Sequence, residues 1–192
     1  FEKEIAYLNE DKADAVLNAS NSVIKERMEE NPEMYSKLSE KISVIIVKYQ
    51  NNRISEEEKL LEAMEIASTI KGENEKENLK YDERIRYNRC ARSIYDNSKK
   101  YIDNDDTLID FSLFVDELFK SSSRIPDWQN ISSIRNNIEG DIDTKLFELG
   151  QDINNKKILS LSNNNQEMIS FLQILLKIGL NIYSNYSDKS IK

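Results

Sequence analysis

Residues 31–58 read NPEMYSKLSEKISVIIVKYQNNRISEEE, and this stretch decides the fold. Asn31 suits the N-cap of a helix, and Pro32 suits the first helical position because its missing N–H has no helical partner there. A polar break ends this helix. Ser55 then forms a capping box with Glu58, three residues later. The stretch therefore predicts two helices joined by a very short turn.

Apolar residues recur at helical spacing on both sides of that turn, which predicts a buried face on each helix. In the first helix they are Met34, Tyr35, Leu38, Ile42, Ile45, Ile46 and Tyr49. In the second they are Leu60, Leu61, Met64, Ala67 and Ile70, with Gly72 as the C-terminal cap. A preceding helix carries Val16, Leu17, Val23, Ile24 and Met28 inward.

The whole chain is predicted to be all-α, a helical bundle of about six to seven helices with short connections. Five predicted helices cover residues 11–30, 32–51, 56–71, 81–100 and 166–186. Two more are predicted between residues 100 and 150, one capped by Asp106 and one with apolar residues from 131 to 149. Residues 73–80 and 152–165 are predicted to be a loop and a linker. We expect one domain, with a three-helix region at 1–72, a second helical part at 73–150 and a variable tail with a terminal helix at 151–192. Because residue 1 is Phe rather than Met, a fragment of a longer polypeptide is expected.

The net charge of the chain limits the classes of partner that it could bind. The 192 residues include 27 basic and 35 acidic ones, a net charge of −8, which argues against a broad DNA-coating surface. A local basic patch on the fourth predicted helix could contact phosphates or an acidic partner, or could be a solvated face that pairs with neighbouring acids. Its members are Arg84, Arg86, Arg89 and Arg92.

The residues needed for common catalytic sites are missing. The sequence has no histidine and one cysteine, so Ser-His-Asp triads and histidine-bound metals are excluded, and the four glycines are too scattered for a phosphate loop. Asp103 and Asp105 resemble the start of a calcium loop that lacks the required Gly and Glu. Two Glu-x-Lys pairs occur at helix starts and not on strands, so a nuclease is not favoured. No catalytic, cofactor or metal site is predicted, and Cys90 is expected to be a small buried residue.

Trp128, the only tryptophan, leaves two alternatives open: a core plug between helices, or a partner-facing residue. The most apolar stretch runs from Met168 to Leu180 and is interrupted by Lys177. It is too short to span a bilayer and is predicted to be a buried core helix.

Two motifs resemble the C-terminal helical region of the restriction (motor) subunit of type I restriction-modification enzymes. The first is the turn and helix start Glu30-Asn31-Pro32-Glu33-Met34-Tyr35-Ser36-Lys37-Leu38-Ser39-Glu40, which is preceded by Asp11-Lys12-Ala13-Asp14-Ala15. The second is Tyr49-Gln50-Asn51-Asn52-Arg53-Ile54-Ser55-Glu56-Glu57-Glu58. A weaker third match is Asp127-Trp128-Gln129 and the helix after it. The resemblance covers Lys12 to Lys71 well and Ser93 to Leu149 loosely; Asn31 stands where the family commonly has an acidic residue.

The resemblance implies that the parent subunit is a type I site-specific deoxyribonuclease with ATP-dependent DNA translocase activity. Its nuclease and helicase-like ATPase domains, with ATP and Mg, would lie outside this chain. The chain itself would be non-catalytic and would dock the motor onto the methyltransferase core. Its partners would be the methyltransferase and specificity subunits of a cytoplasmic complex. DNA would be contacted through that parent complex, and no membrane partner is implied.

Candidate partner-binding residues lie on the exposed side of the hairpin or on the arginine face: Asn31, Pro32, Tyr35, Arg53, Glu56, Arg84, Arg86, Arg89, Arg92 and Trp128. Two other roles stay open. The domain could contact DNA or regulate the ATPase, or it could be a purely structural support bundle.

Overall fold

A computed structural model describes residues 2–152 and 156–187, and it confirms the all-α prediction: within these residues there are helices and no strands. The described part holds nine α-helices, two more than predicted. They are α1 Glu2–Arg27, α2 Pro32–Gln50, α3 Glu56–Lys71, α4 Glu75–Asn78, α5 Arg89–Ser98, α6 Asp105–Ser122, α7 Ser132–Gly150, α8 Lys156–Ser162 and α9 Asn165–Ser187.

The chain divides into two compact units. The first unit comprises the chain up to Met28 together with Pro32–Tyr81. The second comprises Glu29–Asn31 and the chain from Asp82 onward. The α2 and α3 bounds agree with the prediction to within one residue; Pro32 is the first residue of α2, and the Ser55 and Gly72 caps define the ends of α3.

In the first unit, α1 packs against both α2 and α3. The buried core is apolar and comes from all three helices: Leu17, Ile24, Tyr35, Leu38, Ile42, Ile45, Ala63 and Ile66. The α2–α3 turn follows the sequence prediction. Ser55 Oγ accepts a hydrogen bond from the Glu58 amide at 3.2 Å, and the Ser55 amide donates to Glu58 Oε2 at 2.7 Å. These bonds hold the pKa of Glu58 below its usual value. Gly72 caps α3 with φ +77°, a conformation that favours glycine.

The predicted inward face of α3 is wrong at Leu61 and Met64, whereas Ile70 packs against the core as predicted. Leu61 is 68% exposed and Met64 56% exposed, whereas Lys59, Ala63 and Ile66 are buried. The spacing of apolar residues did not predict the buried face of α3, because the first buried residue on that face is the charged Lys59 and the second is the small Ala63. On α2, Ile46 is likewise exposed rather than inward.

Buried Lys59 on α3 contacts one residue of α1 and one of α2. Its Nζ lies 2.7 Å from Asp14 Oδ1 on α1 and 4.1 Å from the centre of the Tyr49 ring on α2. Lys59 is 3% exposed, whereas the Asp14 side chain is half-exposed. The ammonium group is therefore paired and partly desolvated, an arrangement that is costly to break from one side.

We expect Asp14→Ala to destabilise the first unit because it leaves the Lys59 charge without its carboxylate. Since Asp14 is half-exposed, the loss is smaller than for a fully buried pair, about 2 kcal/mol. Lys59→Met keeps the packed stem and removes the charge, so adding Asp14→Ala to it should cost almost nothing. Urea denaturation followed by circular dichroism measures this cycle. Equal costs in both backgrounds would contradict the coupling.

The second unit is built from α5 to α9, with α9 packed against α5, α6, α7 and α8. Its largest buried side chains include Phe111, Phe119, Trp128, Leu146, Phe171, Leu175 and Ile178. The predicted variable tail is therefore part of this core, and its polar segment contains α8 instead of a plain linker. Residues 153–155 and 188–192 lie outside the described part.

Other predicted boundaries shift for local reasons. Helix four begins at Arg89 and not at Tyr81, because Asn88 Oδ1 accepts from the Ala91 amide at 3.0 Å and so starts α5. Asn104, and not Asp106, caps α6. The loop predicted at 73–80 contains the single-turn helix α4, which Asn74 caps.

The apolar stretch of α9 is a core helix, as predicted. Phe171, Leu175 and Ile178 are buried, and Lys177 points to the surface, where its Nζ lies 2.8 Å from Glu29 Oε1. Of the helices that the structure describes, none is both long and apolar enough to cross a membrane.

Candidate functional site

Two polar residues of the turn between α1 and α2, Glu30 and Asn31, are buried and do not lie on an exposed contact surface. Asn31 is 4% exposed. Its Nδ2 donates to Asp96 Oδ2 at 2.8 Å, and its Oδ1 accepts from Asn97 Nδ2 at 3.0 Å. Glu30 pairs with Arg89. All these residues belong to the second unit. The turn is polar because its side chains form these hydrogen bonds and this ion pair.

Two other residue assignments, those of Tyr35 and Trp128, change in the same way. Tyr35 is buried in the core of the first unit, and Pro32 beside it is half-buried. Trp128 is buried in the second unit, with its ring centre 6.2 Å from that of Phe119. Asn31, Tyr35 and Trp128 are therefore corrected from candidate contact residues to core residues, and the core-plug alternative for Trp128 agrees with the structure.

The four arginines do not form one helix face, because Arg84 and Arg86 precede α5. Arg84 bridges three carboxylates, at 2.9 Å from Asp82, 2.6 Å from Asp106 and 3.4 Å from Asp110. The hydrogen bonds to Asp82 and Asp106, together with the charges of these carboxylates, raise the pKa of Arg84 above its usual value. Within the described residues, no three acidic or cysteine side chains are placed to share a metal ion.

The other arginines are also engaged. Arg89 pairs with Glu30, and Arg92 Nη1 donates to the Arg86 carbonyl at 3.1 Å. The alternative in which these residues form ion pairs within the protein therefore has direct structural support at Arg84 and Arg89.

Two predicted contact residues of the α2–α3 hairpin are not fully buried: Arg53 in the turn, and Glu56, the first residue of α3. Arg53 is exposed. Glu56 is half-buried and accepts a hydrogen bond from Tyr49 Oη at 3.1 Å. The turn passes through Asn52 at φ +53°, a conformation that asparagine tolerates better than most residues.

Sequence reasoning missed the exposed apolar side chains of the two helices on either side of this turn. Val44 is 47% and Val47 52% exposed on α2, and Leu61 and Met64 are exposed on α3. We call these four residues the hairpin apolar surface. One signal could have revealed it: residues 44–47 are all apolar, and four consecutive residues of a helix cannot face one core.

Between α2 and α3 there is also a groove with a volume of about 610 Å³. Buried Leu38, Ile45 and Ile66 line it together with half-exposed Val44, and lysine and glutamate side chains stand along its sides. An apolar groove with charged sides is a common form of helix-binding site.

In the second unit, a buried polar cluster surrounds Asp116. Its carboxylate accepts from Asn88 Nδ2 at 2.6 Å and from Tyr183 Oη at 2.6 Å, and also from the thiol of Cys90. Burial, reinforced by Asp116, raises the pKa of Cys90 well above its usual value. The thiol is therefore protonated at neutral pH, in keeping with the predicted small buried cysteine. The cluster joins α5, α6 and α9.

These observations define the class: an all-α helical protein with an exposed apolar surface on one helical hairpin. Residues 12–158 match the family model described as type I restriction enzyme HindI endonuclease subunit-like, C-terminal. Because the match covers well over half of the chain, the chain belongs to this family, and the resemblance inferred from the two motifs is confirmed. No curated protein and no solved structure matches the chain.

Proposed function

We propose that this chain is a non-catalytic assembly domain that anchors the motor subunit of a type I restriction enzyme to its methyltransferase core. The family match supports the part of this proposal that assigns the chain to a type I restriction enzyme. The hairpin apolar surface is the observation that carries the proposal, because exposed apolar side chains grouped on one hairpin are typical of protein-binding surfaces. Catalysis and ATP hydrolysis would belong to other regions of the parent subunit.

The second candidate, DNA contact through the arginines, has less support. Phosphate binding needs guanidinium groups that can leave their present partners, and Arg84 would have to leave three carboxylates. The purely structural role predicts loss of stability, without loss of assembly, when the domain is altered.

The test compares the intact motor subunit with a subunit truncated before this region. Each is mixed with the methyltransferase core and separated by size-exclusion chromatography. We expect the intact subunit to co-elute with the core and the truncated subunit to elute alone, while its ATPase domains still bind nucleotide. Co-elution of both subunits would contradict the anchoring role and favour the structural one.

A further inference from the structure

The groove between α2 and α3 has walls of opposite charge. Lys37, Lys41 and Lys48 line the α2 side, and Glu62 and Glu65 line the α3 side. Glu40, also on α2, is the exception to this segregation. Lys48 Nζ lies 3.3 Å from Glu62 Oε1, so one ion pair already joins the two walls.

The floor of the groove is apolar. Leu38, Ile45 and Ile66 are buried at its base, while Val44 keeps about half of its surface exposed. A ligand that covered Val44 would remove this apolar area from water, which is favourable. The groove follows α2 from Lys37 to Lys48, a length of about 17 Å, which accommodates roughly three turns of a second helix.

We infer that this groove binds one amphipathic α-helix of the methyltransferase core. The helix carries an apolar stripe over Val44, acidic residues beside Lys37 and Lys41, and basic residues beside Glu62 and Glu65. This inference rests on the proposed anchoring function and specifies the chemistry of the partner. Charge segregation between the walls fixes the direction in which the helix lies, because the reversed helix would place like charges together.

The same charges disfavour a nucleic acid. A phosphate backbone attracted by the lysines would approach the carboxylates of Glu40, Glu62 and Glu65 in the same groove. A helix with charges of both signs satisfies both walls.

The apolar part of the site is tested by one substitution at two positions of the intact motor subunit. Val44→Glu places a charge in the groove, and Leu159→Glu places it on α8 of the second unit. Each replaced residue is about half exposed, so the two variants are expected to fold alike, with unchanged circular dichroism. We expect Val44→Glu to weaken binding of the methyltransferase core at least about tenfold and the Leu159→Glu control to change it by less than about threefold.

The charged walls are tested by reversing one residue on each. Lys41→Glu and Glu65→Lys should each weaken binding several-fold, with the loss largest at low salt. Lys12→Glu and Glu26→Lys are matched controls on exposed positions of α1 that do not line the groove. These wall variants also keep the test valid if Val44→Glu fails to fold.

The outcomes separate this inference from the proposed function. If the unaltered subunit does not bind the core, both fail. If it binds and Val44→Glu, Lys41→Glu and Glu65→Lys bind equally well, the groove is not the site although the anchoring function stands. Tight binding of a DNA duplex at low salt that Lys41→Glu abolishes, with core binding unchanged, would overturn the helix in favour of a nucleic acid.

Discussion

Replacing Gly179 with alanine is expected to destabilise the second unit by about 3 kcal/mol, at the upper end of the usual cost of overpacking. A methyl group at this position of α9 would overlap the ring of Phe119, which is fully buried on α6. Because the ring is enclosed, it has little room to move, and α9 would have to shift away from α6. The close approach of the two helices therefore depends on the missing side chain.

Gly140 is the matched control for that substitution. It lies within α7, and a methyl group there would meet no atom within 4 Å. Gly140→Ala should therefore stabilise the chain by up to about 1 kcal/mol, the ordinary gain from replacing a glycine inside a helix. Trp128, the only tryptophan, is buried in the second unit near Phe119, so its fluorescence during urea denaturation reports on this unit. Effects of the same sign at both glycines would contradict the packing argument.

Asp116→Leu is expected to destabilise the same unit by about 3 kcal/mol. The substitution removes the acceptor of two part-buried hydrogen bonds, from Asn88 and Tyr183, and losing a hydrogen bond to a carboxylate costs about 1–3 kcal/mol. Tryptophan fluorescence during denaturation again measures the loss.

A double-mutant cycle with Tyr183→Phe tests the mechanism of that loss. Tyr183→Phe alone should cost about 1 kcal/mol, because it removes one hydrogen bond to Asp116. In the Tyr183→Phe background, Asp116→Leu removes one fewer hydrogen bond and should cost correspondingly less. Strictly additive losses would show that the two groups do not stabilise each other.

Features with a local cause were predictable from the sequence. Pro32, Ser55 with Glu58, and Gly72 define the ends of α2 and α3, because each acts through backbone groups only a few residues away. The same segment contains the two sequence motifs that indicated the family. The missing histidine and scattered glycines likewise needed no structure to exclude whole classes of catalytic site.

Features that depend on distant partners were not predictable in this way. Lys59 was not among the residues predicted to face inward, yet it is buried, and its charge is paired with Asp14, forty-five positions earlier. That burial rotates α3 and leaves Leu61 and Met64 exposed. Asn31 looked like part of a contact motif, but its amide is used by Asp96 and Asn97.

The sequence by itself determined the all-α class, the α2–α3 hairpin and the family, because caps, turn residues and helical spacing act over one or two turns of chain. Only the tertiary structure decided which face of α3 is buried, why Gly179 lies inside a helix, and that the hairpin presents an apolar groove between walls of opposite charge. These properties arise where residues far apart in the chain come into contact. Those neighbours determine the free-energy cost of an unpaired charge, an unsatisfied hydrogen-bond donor or a steric clash.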